Sequence, residues 1–306
     1  MITYQATPAT AERYVLAEGP VWDGVRRRVL WVDINGQLVL TGELQQTDEL
    51  QQHQIVETQR LAFPGTVGAV VCSASGELLA AGPRGLFTAA ADDTAWTPRG
   101  PALIEPGTNS RLNDGACDPA GRFLVGSLAL DDRQNEEQLF RIETAGQSTV
   151  IDDRLGLSNG LAWSPDGAWF YSIDTAPGLI WVRSYDGDSG RYGERQVLLT
   201  ITDGHPDGMC TDTEGNLWVA VWGAGQVRCY SPSGETLAVV EVAAPNTSCV
   251  AFVGPDLDTL LITTASEQLS GAQMAQYPDS GKLFTASVGV TGFPVPYWNG
   301  RPESSV

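Results

Sequence analysis

Positive charge is scarce in this sequence of 306 residues. Lys282 is the only lysine, and 18 lysine and arginine residues stand against 37 aspartate and glutamate residues, which gives a formal net charge of −19. Nucleic-acid phosphates and anionic membranes are bound by clustered cations, and the arginines here are scattered singly. We therefore expect neither nucleic acid nor a membrane surface as a partner.

Paired cysteines and long apolar runs are also missing. The five cysteines are odd in number, widely spaced and without a C-x-x-C pair: Cys72, Cys117, Cys210, Cys229 and Cys249. This pattern favours small buried thiols in a reducing compartment over disulfides or a thiolate zinc site. No run reaches the roughly 18 apolar residues of a membrane span, and the N-terminus lacks a basic segment followed by an apolar one. We predict a cytoplasmic protein.

Six segments of the chain repeat one pattern, in which a short apolar strand, a turn and a second apolar strand follow a small or polar residue. Equivalent positions of the repeats are 41 to 49 residues apart, and they are Gly19, Gly68, Gly115, Gly160, Gly208 and Cys249. A period of 40 to 50 residues is typical of four-stranded propeller blades. The strands are separated by the turn sequences SASG, DPAG, SPDG and DTEG. We predict an all-β protein: a six-bladed β-propeller with four-stranded antiparallel blades around a central channel, in a single domain spanning residues 1–306.

Polar residues precede the first apolar strand in five of the repeats, and they are Glu18, Asn113, Asn159, Asp207 and Ser248. The first strand of each propeller blade lines the channel, so these side chains are expected to converge at its mouth. Carboxylate and amide oxygens suit Ca²⁺, Mg²⁺ or Mn²⁺ and, less selectively, Zn²⁺ or Fe²⁺. Aspartate and asparagine before glycine also form turns, but glutamate is not a turn former, and independent turns have no reason to keep the phase of the repeat.

The segments around these residues resemble the regucalcin and gluconolactonase family, also called the senescence-marker-protein family, of six-bladed propeller sugar lactonases. The resemblance is carried by AEGPVWD, RLNDGACDPAGRFLVGS, SNGLAWSPDG, PDGMCTDTEGNLWVA and the closing GKLFTASVGVTGFPVPYW. It implies that Glu18, Asn159 and Asp207 coordinate one divalent cation, with Asp207 also the general base. It further implies that Arg111 and Asn113 contact the substrate. At a position where family members often have glutamate, the chain has the shorter Asp131, which we assign to substrate binding.

These residue types permit metal-assisted hydrolysis of a cyclic ester. A cation at the channel mouth would polarise the lactone carbonyl, and a carboxylate would take the proton of the attacking water. The predicted reaction is the opening of a sugar lactone to its aldonic acid. Two alternatives remain open at this stage: hydrolysis of other esters or phosphotriesters on the same metal site, and a non-catalytic propeller that binds calcium or a partner.

Several other motifs are weaker indications. Residues 156–160 match the G-x-S-x-G motif of serine hydrolases, but the sequence after them is typical of a strand and not of the required helix. Residues 186–190, DGDSG, resemble the start of a calcium loop but favour a hairpin, because Val197 stands where a bidentate glutamate is needed. His205 and Trp222 are candidates for the rim of the channel, and the sequence does not decide their roles. No phosphate-binding glycine loop is present, so no nucleotide cofactor is predicted.

Overall fold

Nearly all regular structure in this protein is β-strand, as the β-branched and aromatic repeats predict. The computed structural model describes residues 1–46, 53–91, 93–131, 133–143 and 147–300. Two short strands come first, β1 (Ile2–Gln5) and β2 (Thr7–Pro8). The later strands form six consecutive sheets, which we call blades 1 to 6 in chain order.

The first three blades have four antiparallel strands each. Blade 1 contains β3 (Ala17–Asp23), β4 (Arg28–Asp33), β5 (Leu38–Gln46) and β6 (His53–Ala62). Blade 2 contains β7 (Ala69–Cys72), β8 (Leu78–Ala81), β9 (Leu86–Ala89) and β10 (Thr97–Arg99). Blade 3 contains β11 (Ser110–Cys117), β12 (Phe123–Ala129), β13 (Glu137–Ile142) and β14 (Ser148–Leu155).

The last three blades add small variations. Blade 4 contains β15 (Ser158–Trp163), β16 (Trp169–Asp174), β17 (Leu179–Asp186), the short β18 (Arg191–Tyr192) and β19 (Gln196–Thr200). Blade 5 contains β20 (His205–Thr211), β21 (Leu217–Trp222), β22 (Gln226–Tyr230) and β23 (Thr236–Glu241). Blade 6 contains β24 (Thr247–Val253), β25 (Thr259–Thr264) and β26 (Phe284–Ser287), with the short helix α1 (Gly271–Gln276) between the last two.

The first strands of neighbouring blades, β3, β7, β11, β15, β20 and β24, pack against one another around the centre. The predicted six-bladed propeller is therefore confirmed. Each of the six equivalent repeat positions, from Gly19 to Cys249, lies in a first strand or directly before one. Hydrophobic clusters fill the spaces between blades. Leu30 and Val70, for example, are fully buried between blades 1 and 2, and Leu124 and Phe170 are fully buried between blades 3 and 4. Burial of this apolar surface is the main force that holds each blade against the next.

The N-terminal residues close the ring. Strand β2 pairs antiparallel with β26 and thereby supplies the fourth strand of blade 6, while β1 pairs parallel with β23 at the outer edge of blade 5. The first ten residues are thus tied to the end of the chain, with the Thr10 hydroxyl accepting a hydrogen bond of 3.0 Å from the Leu283 amide. Edges that would otherwise remain unpaired are covered.

The predicted turns between first and second strands are present. In SASG, DPAG, SPDG and DTEG the final glycine donates its amide to the carbonyl of the first residue. Gly121 illustrates the requirement for glycine, because its φ of +80° is strained for a residue with a Cβ. Residues 186–190 form the tip of the β17–β18 hairpin, as predicted.

The glutamine-rich sequence of residues 44–54 is typical of an exposed connection, but both of its ends belong to strands. Strand β5 extends to Gln46 and β6 begins at His53, and the two pair through this region. Among the polar side chains, Leu44 lies opposite the buried Ile55, and this apolar pair packs the long hairpin against the core. Residues 47–52 lie outside the described part of the chain. Among the described residues, no helix is long and apolar enough to cross a membrane.

Candidate active site

The polar residues predicted for the channel mouth lie at irregularities of the inner strands. The pairing of the first with the second strand is interrupted between Glu18 and Val21, between Leu112 and Gly115, between Asn159 and Leu161, between Pro206 and Met209 and between Thr247 and Cys249. Strand β7 of blade 2 pairs regularly and carries no polar residue of this set. Bulges turn side chains away from the alternation of a regular strand. Here they aim polar groups of five blades at one end of the channel.

Glycines directly after the polar residues allow the inner strands to approach closely. A Cβ on Gly160 would lie 2.6 Å from the backbone oxygen of Asp207. A Cβ on Gly208 would lie 2.7 Å from the Cα of Cys249. Both distances are too short for a real Cβ, so a larger residue would push blade 4 from blade 5 or blade 5 from blade 6. The Asn-Gly and Asp-Gly pairs therefore serve the convergence of strands as well as local backbone geometry.

Amide side chains connect blades 3, 4 and 5 at this level. The Asn113 Nδ2 atom donates to the Ser158 carbonyl at 3.0 Å and to Asn159 Oδ1 at 3.3 Å. Asn159 Nδ2 donates to Thr175 Oγ1 at 3.1 Å, and the Asn159 side chain lies close enough to the Asp207 carboxylate to lower its pKa. The Thr175 hydroxyl in turn donates to the Pro206 carbonyl at 2.8 Å. Thr175, which no sequence motif indicated, fixes the orientation of Asn159.

Arg111 lies beside these amides and is buried, with only 8% of its surface exposed. Its Nη1 atom donates to Asn113 Oδ1 at 2.7 Å and to the Leu112 carbonyl at 3.0 Å. Burial lowers the pKa of its guanidinium to about 10, while the negative charges of Glu18, Glu267 and Asp207 act in the opposite direction. Arg111 therefore remains cationic at neutral pH and faces several carboxylates.

Three buried carboxyl groups face one another in the channel. Burial, followed by the charge of Asp114, raises the pKa of Glu18 to about 8. Burial raises the pKa of Asp114 to about 6. Burial, followed by the charges of Glu18 and Asp114, raises the pKa of Asp207 well above its usual range. Negative charge is therefore costly at this point without a cation close by.

Asp114 is the functional candidate that sequence reasoning passed over. It stands in the Asn113-Asp114-Gly115 segment, where aspartate before glycine indicates a turn. Instead it occupies the bulge of β11 and is 9% exposed, with one oxygen accepting a hydrogen bond of 2.8 Å from the Gly115 amide. The signal for it was the unusual sequence of two polar residues at the bulge position of one repeat.

The donor set suits a hard divalent cation. Glu18, Asn159 and Asp207 offer two carboxylates and an amide oxygen, and a cation among them would relieve the repulsion that raises the carboxyl pKa values. Among the described residues, no group of three or more His, Cys, Asp and Glu side chains is arranged to hold a metal ion. The predicted set contains only two such side chains, so it would leave further coordination positions for water or substrate.

Three other residues singled out from the sequence lie at the same end of the blades. Asp131 and His205 are more exposed than the buried carboxyl groups, and Ser248 has a structural role. Asp131 follows the end of β12, has 39% of its side chain exposed, and forms an ion pair of 2.7 Å with Arg133 Nε. His205 is exposed and opposite Trp222 across β20 and β21. Ser248 is fully buried and donates to the Ala17 carbonyl at 2.6 Å.

Ser158 of the G-x-S-x-G sequence is the first residue of β15. The residues after it continue as that strand, so the strand–turn–helix of a nucleophile elbow is not formed here. Serine-hydrolase chemistry therefore has no support in the local structure.

The far half of the channel contains a cavity of about 350 Å³. Its inner end is lined by Gly19, Asp114, Met209 and Cys249, and its outer end by residues 163–167 and 293–296. Most other lining residues are apolar. The polar mouth is thus backed by a largely apolar channel.

The sequence matches the family model described as "SMP-30/Gluconolactonase/LRE-like region" over residues 16–266. The chain belongs to this family. A 6-deoxy-6-sulfogluconolactonase of Pseudomonas putida is 34% identical over 94% of this chain and 96% of its own length. A pentonolactonase of Haloferax volcanii is 34% identical, covering 91% of this chain and 93% of its own. The family predicted from the sequence motifs is confirmed.

A solved structure shares the whole architecture. The crystal structure of a calcium-binding protein, regucalcin, from Agrobacterium tumefaciens aligns with a TM-score of 0.88 at 24% identity, covering 98% of this chain and 99% of the other. This likeness supports the SMP-30/gluconolactonase propeller fold over its full length.

Proposed function

We propose that the protein is an enzyme that hydrolyses a sugar lactone to its aldonic acid with the help of one divalent cation. The observation that carries the proposal is the convergence of Glu18, Asn159 and Asp207 with Arg111 and Asn113 at one end of the channel. The names of relatives at about one-third identity, a sulfogluconolactonase and a pentonolactonase, support the substrate class.

The carboxylates and the Asn159 amide hold the cation in this proposal. When bound, it supplies Lewis acidity that polarises the lactone carbonyl and lowers the pKa of nearby water. Asn113 donates a hydrogen bond to the Oδ1 atom of Asn159, and Thr175 accepts one from its Nδ2 atom, so both ends of the Asn159 amide are fixed. These contacts hold the ligand oxygens in place before substrate arrives.

Asp207 is the general base that we assign. A water oxygen bonds to the carbonyl carbon, the ring C–O bond breaks, and the proton taken by Asp207 passes to the ring oxygen, which leaves as a hydroxyl. A bound cation lowers the pKa of its ligands, whereas burial and the neighbouring carboxylates raise that of Asp207. In this proposal Asp207 takes its proton from water whose own pKa the cation would lower, so the carboxylate need not be a strong base. Arg111 positions the substrate through the guanidinium donors that Asn113 leaves unused.

A pH-stat assay of a lactone panel tests the proposal. The panel contains D-glucono-1,5-lactone and the lactones of xylonic, arabinonic and galactonic acids, each measured after chelation and after return of Ca²⁺, Mg²⁺, Mn²⁺, Zn²⁺ or Fe²⁺. We expect chelation to reduce turnover of at least one lactone by roughly 100-fold or more and one of the cations to restore it. Asp207→Asn should lower kcat by about 100- to 10,000-fold even at saturating metal, as for loss of a general base.

Asp188→Asn is the matched control, because Asp188 is an exposed aspartate in the β17–β18 hairpin of the outer part of blade 4. It should behave as the unchanged protein. Full activity after chelation would contradict the metal dependence. Absence of turnover for every lactone with every cation would contradict the reaction class and favour a binding role instead.

A further inference from the structure

Glu267 lies at the channel mouth in the segment that follows the second strand of blade 6. Its position is determined on several sides. The Glu267 amide donates to the Val15 carbonyl at 3.0 Å, close to the start of β3, and its own carbonyl accepts from Asn246 Nδ2 at 2.9 Å, directly before β24. Both partners belong to segments that lead into inner strands. The backbone of Glu267 is therefore fixed to the mouth and is not part of a free loop.

The side chain of Glu267 is also held. Its Oε2 atom accepts a hydrogen bond of 2.7 Å from Asn35 Nδ2, which lies in the turn between β4 and β5 of blade 1. The residue is partly exposed, so its carboxylate remains within reach of solvent and of small molecules. An exposed glutamate ordinarily loses side-chain entropy when it is fixed in one geometry. Here Asn35 provides the contact that offsets this cost.

Glu267 faces Arg111 across the mouth. In a ring of six blades, blade 6 stands opposite blade 3, which carries Arg111 on β11. The charge of Glu267 acts on the Arg111 guanidinium more strongly than that of Asp207 does. The Glu267 carboxylate, an acceptor, and the Arg111 guanidinium, a donor, thus lie on opposite sides of the channel mouth.

We propose that Glu267 is a substrate-recognition residue whose carboxylate accepts hydrogen bonds from ring hydroxyl groups of the sugar lactone on the side opposite Arg111. Hydroxyl groups donate well to a carboxylate, and such charge-assisted hydrogen bonds are the stronger ones. A carboxylate offers nothing to an unsubstituted lactone ring. This assignment rests on the proposed lactonase function and adds to it a determinant that distinguishes polyhydroxylated lactones from simple ones.

The test compares two six-membered lactones, D-glucono-1,5-lactone with its hydroxyl groups and δ-valerolactone without any. For Glu267→Ala we expect kcat/KM on gluconolactone to fall about 10- to 100-fold, mainly through KM, as for loss of one charge-assisted hydrogen bond. The value on δ-valerolactone should change less than about twofold. Glu267→Gln, which keeps an acceptor oxygen, should recover part of the loss, and Asn35→Ala should give a smaller loss of the same selectivity.

Glu235→Ala removes an exposed glutamate from the outer turn of blade 5 and serves as the control. Equal losses on both lactones in Glu267→Ala, or no loss on gluconolactone, would overturn the assignment. A second measurement tests the role of Glu267 separately from the lactonase function. Saturation-transfer NMR, with each cation present, measures binding of 1,5-anhydro-D-glucitol, which has the hydroxylated ring but no carbonyl. Weakened binding in Glu267→Ala supports the assignment even if no lactone is hydrolysed, and unchanged binding contradicts it.

Discussion

Glu18, Asp114 and Asp207 form a buried acidic group at the proposed cation site. Without a cation, burial raises the pKa values of all three above those of exposed carboxyl groups. The pKa is raised to about 8 for Glu18 and to about 6 for Asp114. The folded state therefore binds more protons than the unfolded state between roughly pH 4 and 8. Its free energy of unfolding should fall as pH rises through this window, because deprotonation places uncompensated charges in the channel.

A divalent cation bound as proposed would compete with these protons, and this competition predicts a dependence of cation affinity on pH. We expect cation affinity to increase from pH 6 to pH 8 and binding to release protons, since ligand carboxylates must be ionised. Calorimetric titrations in buffers of different ionisation enthalpy measure both quantities. Asp114→Asn should shift the pH dependence downwards, because the charge of Asp114 is the main electrostatic influence that raises the pKa of Glu18.

Asp166→Asn provides the comparison for that titration, since Asp166 is a largely exposed carboxylate in the turn after β15. It should leave the cation affinity unchanged at both pH values. An affinity that is the same at pH 6 and pH 8 in the unchanged protein would show that the three carboxyl groups are not coupled to the cation.

At the scale of the strand, the glycine that follows a polar residue of the channel mouth sets how closely two blades approach. In Gly208→Ala the added Cβ meets the Cys249 Cα at 2.7 Å, so β20 and β24 must move apart. Overpacking of this kind costs about 1–3 kcal/mol of unfolding free energy. Because Asp207 is the preceding residue, we also expect weaker cation binding. Denaturant unfolding and a cation titration measure the two effects.

Gly187→Ala is a suitable control for this substitution. Nothing lies within 4 Å of a Cβ built on Gly187, at the tip of the β17–β18 hairpin. Its unfolding midpoint and cation affinity should match those of the unchanged protein. If Gly208→Ala also matches them, the close approach at Gly208 does not govern the geometry of the site.

At the scale of the whole molecule, the N-terminal residues join the last blade to the first. Removal of residues 1–10 deletes β1 and β2 and, among others, the hydrogen bonds of Ala9 with Leu283 and Ile55 and of Thr10 with Leu283. Several lost hydrogen bonds at about 1 kcal/mol each predict a destabilisation of about 3 kcal/mol. For a protein of this size that corresponds to a fall in Tm of about 5 °C.

Removal of residues 1–5 alone separates the contributions of the two strands. This deletion loses the exposed β1 and its pairing with β23 but retains the closure of blade 6 by β2. Its Tm should fall by clearly less than that of the longer deletion. Equal values of Tm for the two shortened proteins would contradict a role of β2 in holding the ring closed.

The sequence alone determined the fold class and predicted much of the candidate site. Apolar segments at a spacing of 41 to 49 residues, each with a glycine-ended turn, specify repeated antiparallel strands because local turn chemistry and strand propensity act over a few residues. The phase of Glu18, Asn159 and Asp207 within the repeats predicted that they lie near the starts of the inner strands, where the structure has them. Asp131 was assigned by resemblance alone, and its role stays a prediction.

Only the tertiary structure decided features that depend on residues far apart in the chain. Pairing of β2 with β26 joins residues separated by nearly the whole sequence, and no local pattern specifies it. The position of Asp114 depends on the bulge of β11, and its nearness to Glu18 and Asp207 depends on the convergence of three blades. The contact of Glu267 with Asn35, opposite Arg111, arises because the ring brings blades 6, 1 and 3 to one mouth. Electrostatic and hydrogen-bonding partners are set by proximity in space, which the repeat period specifies only approximately.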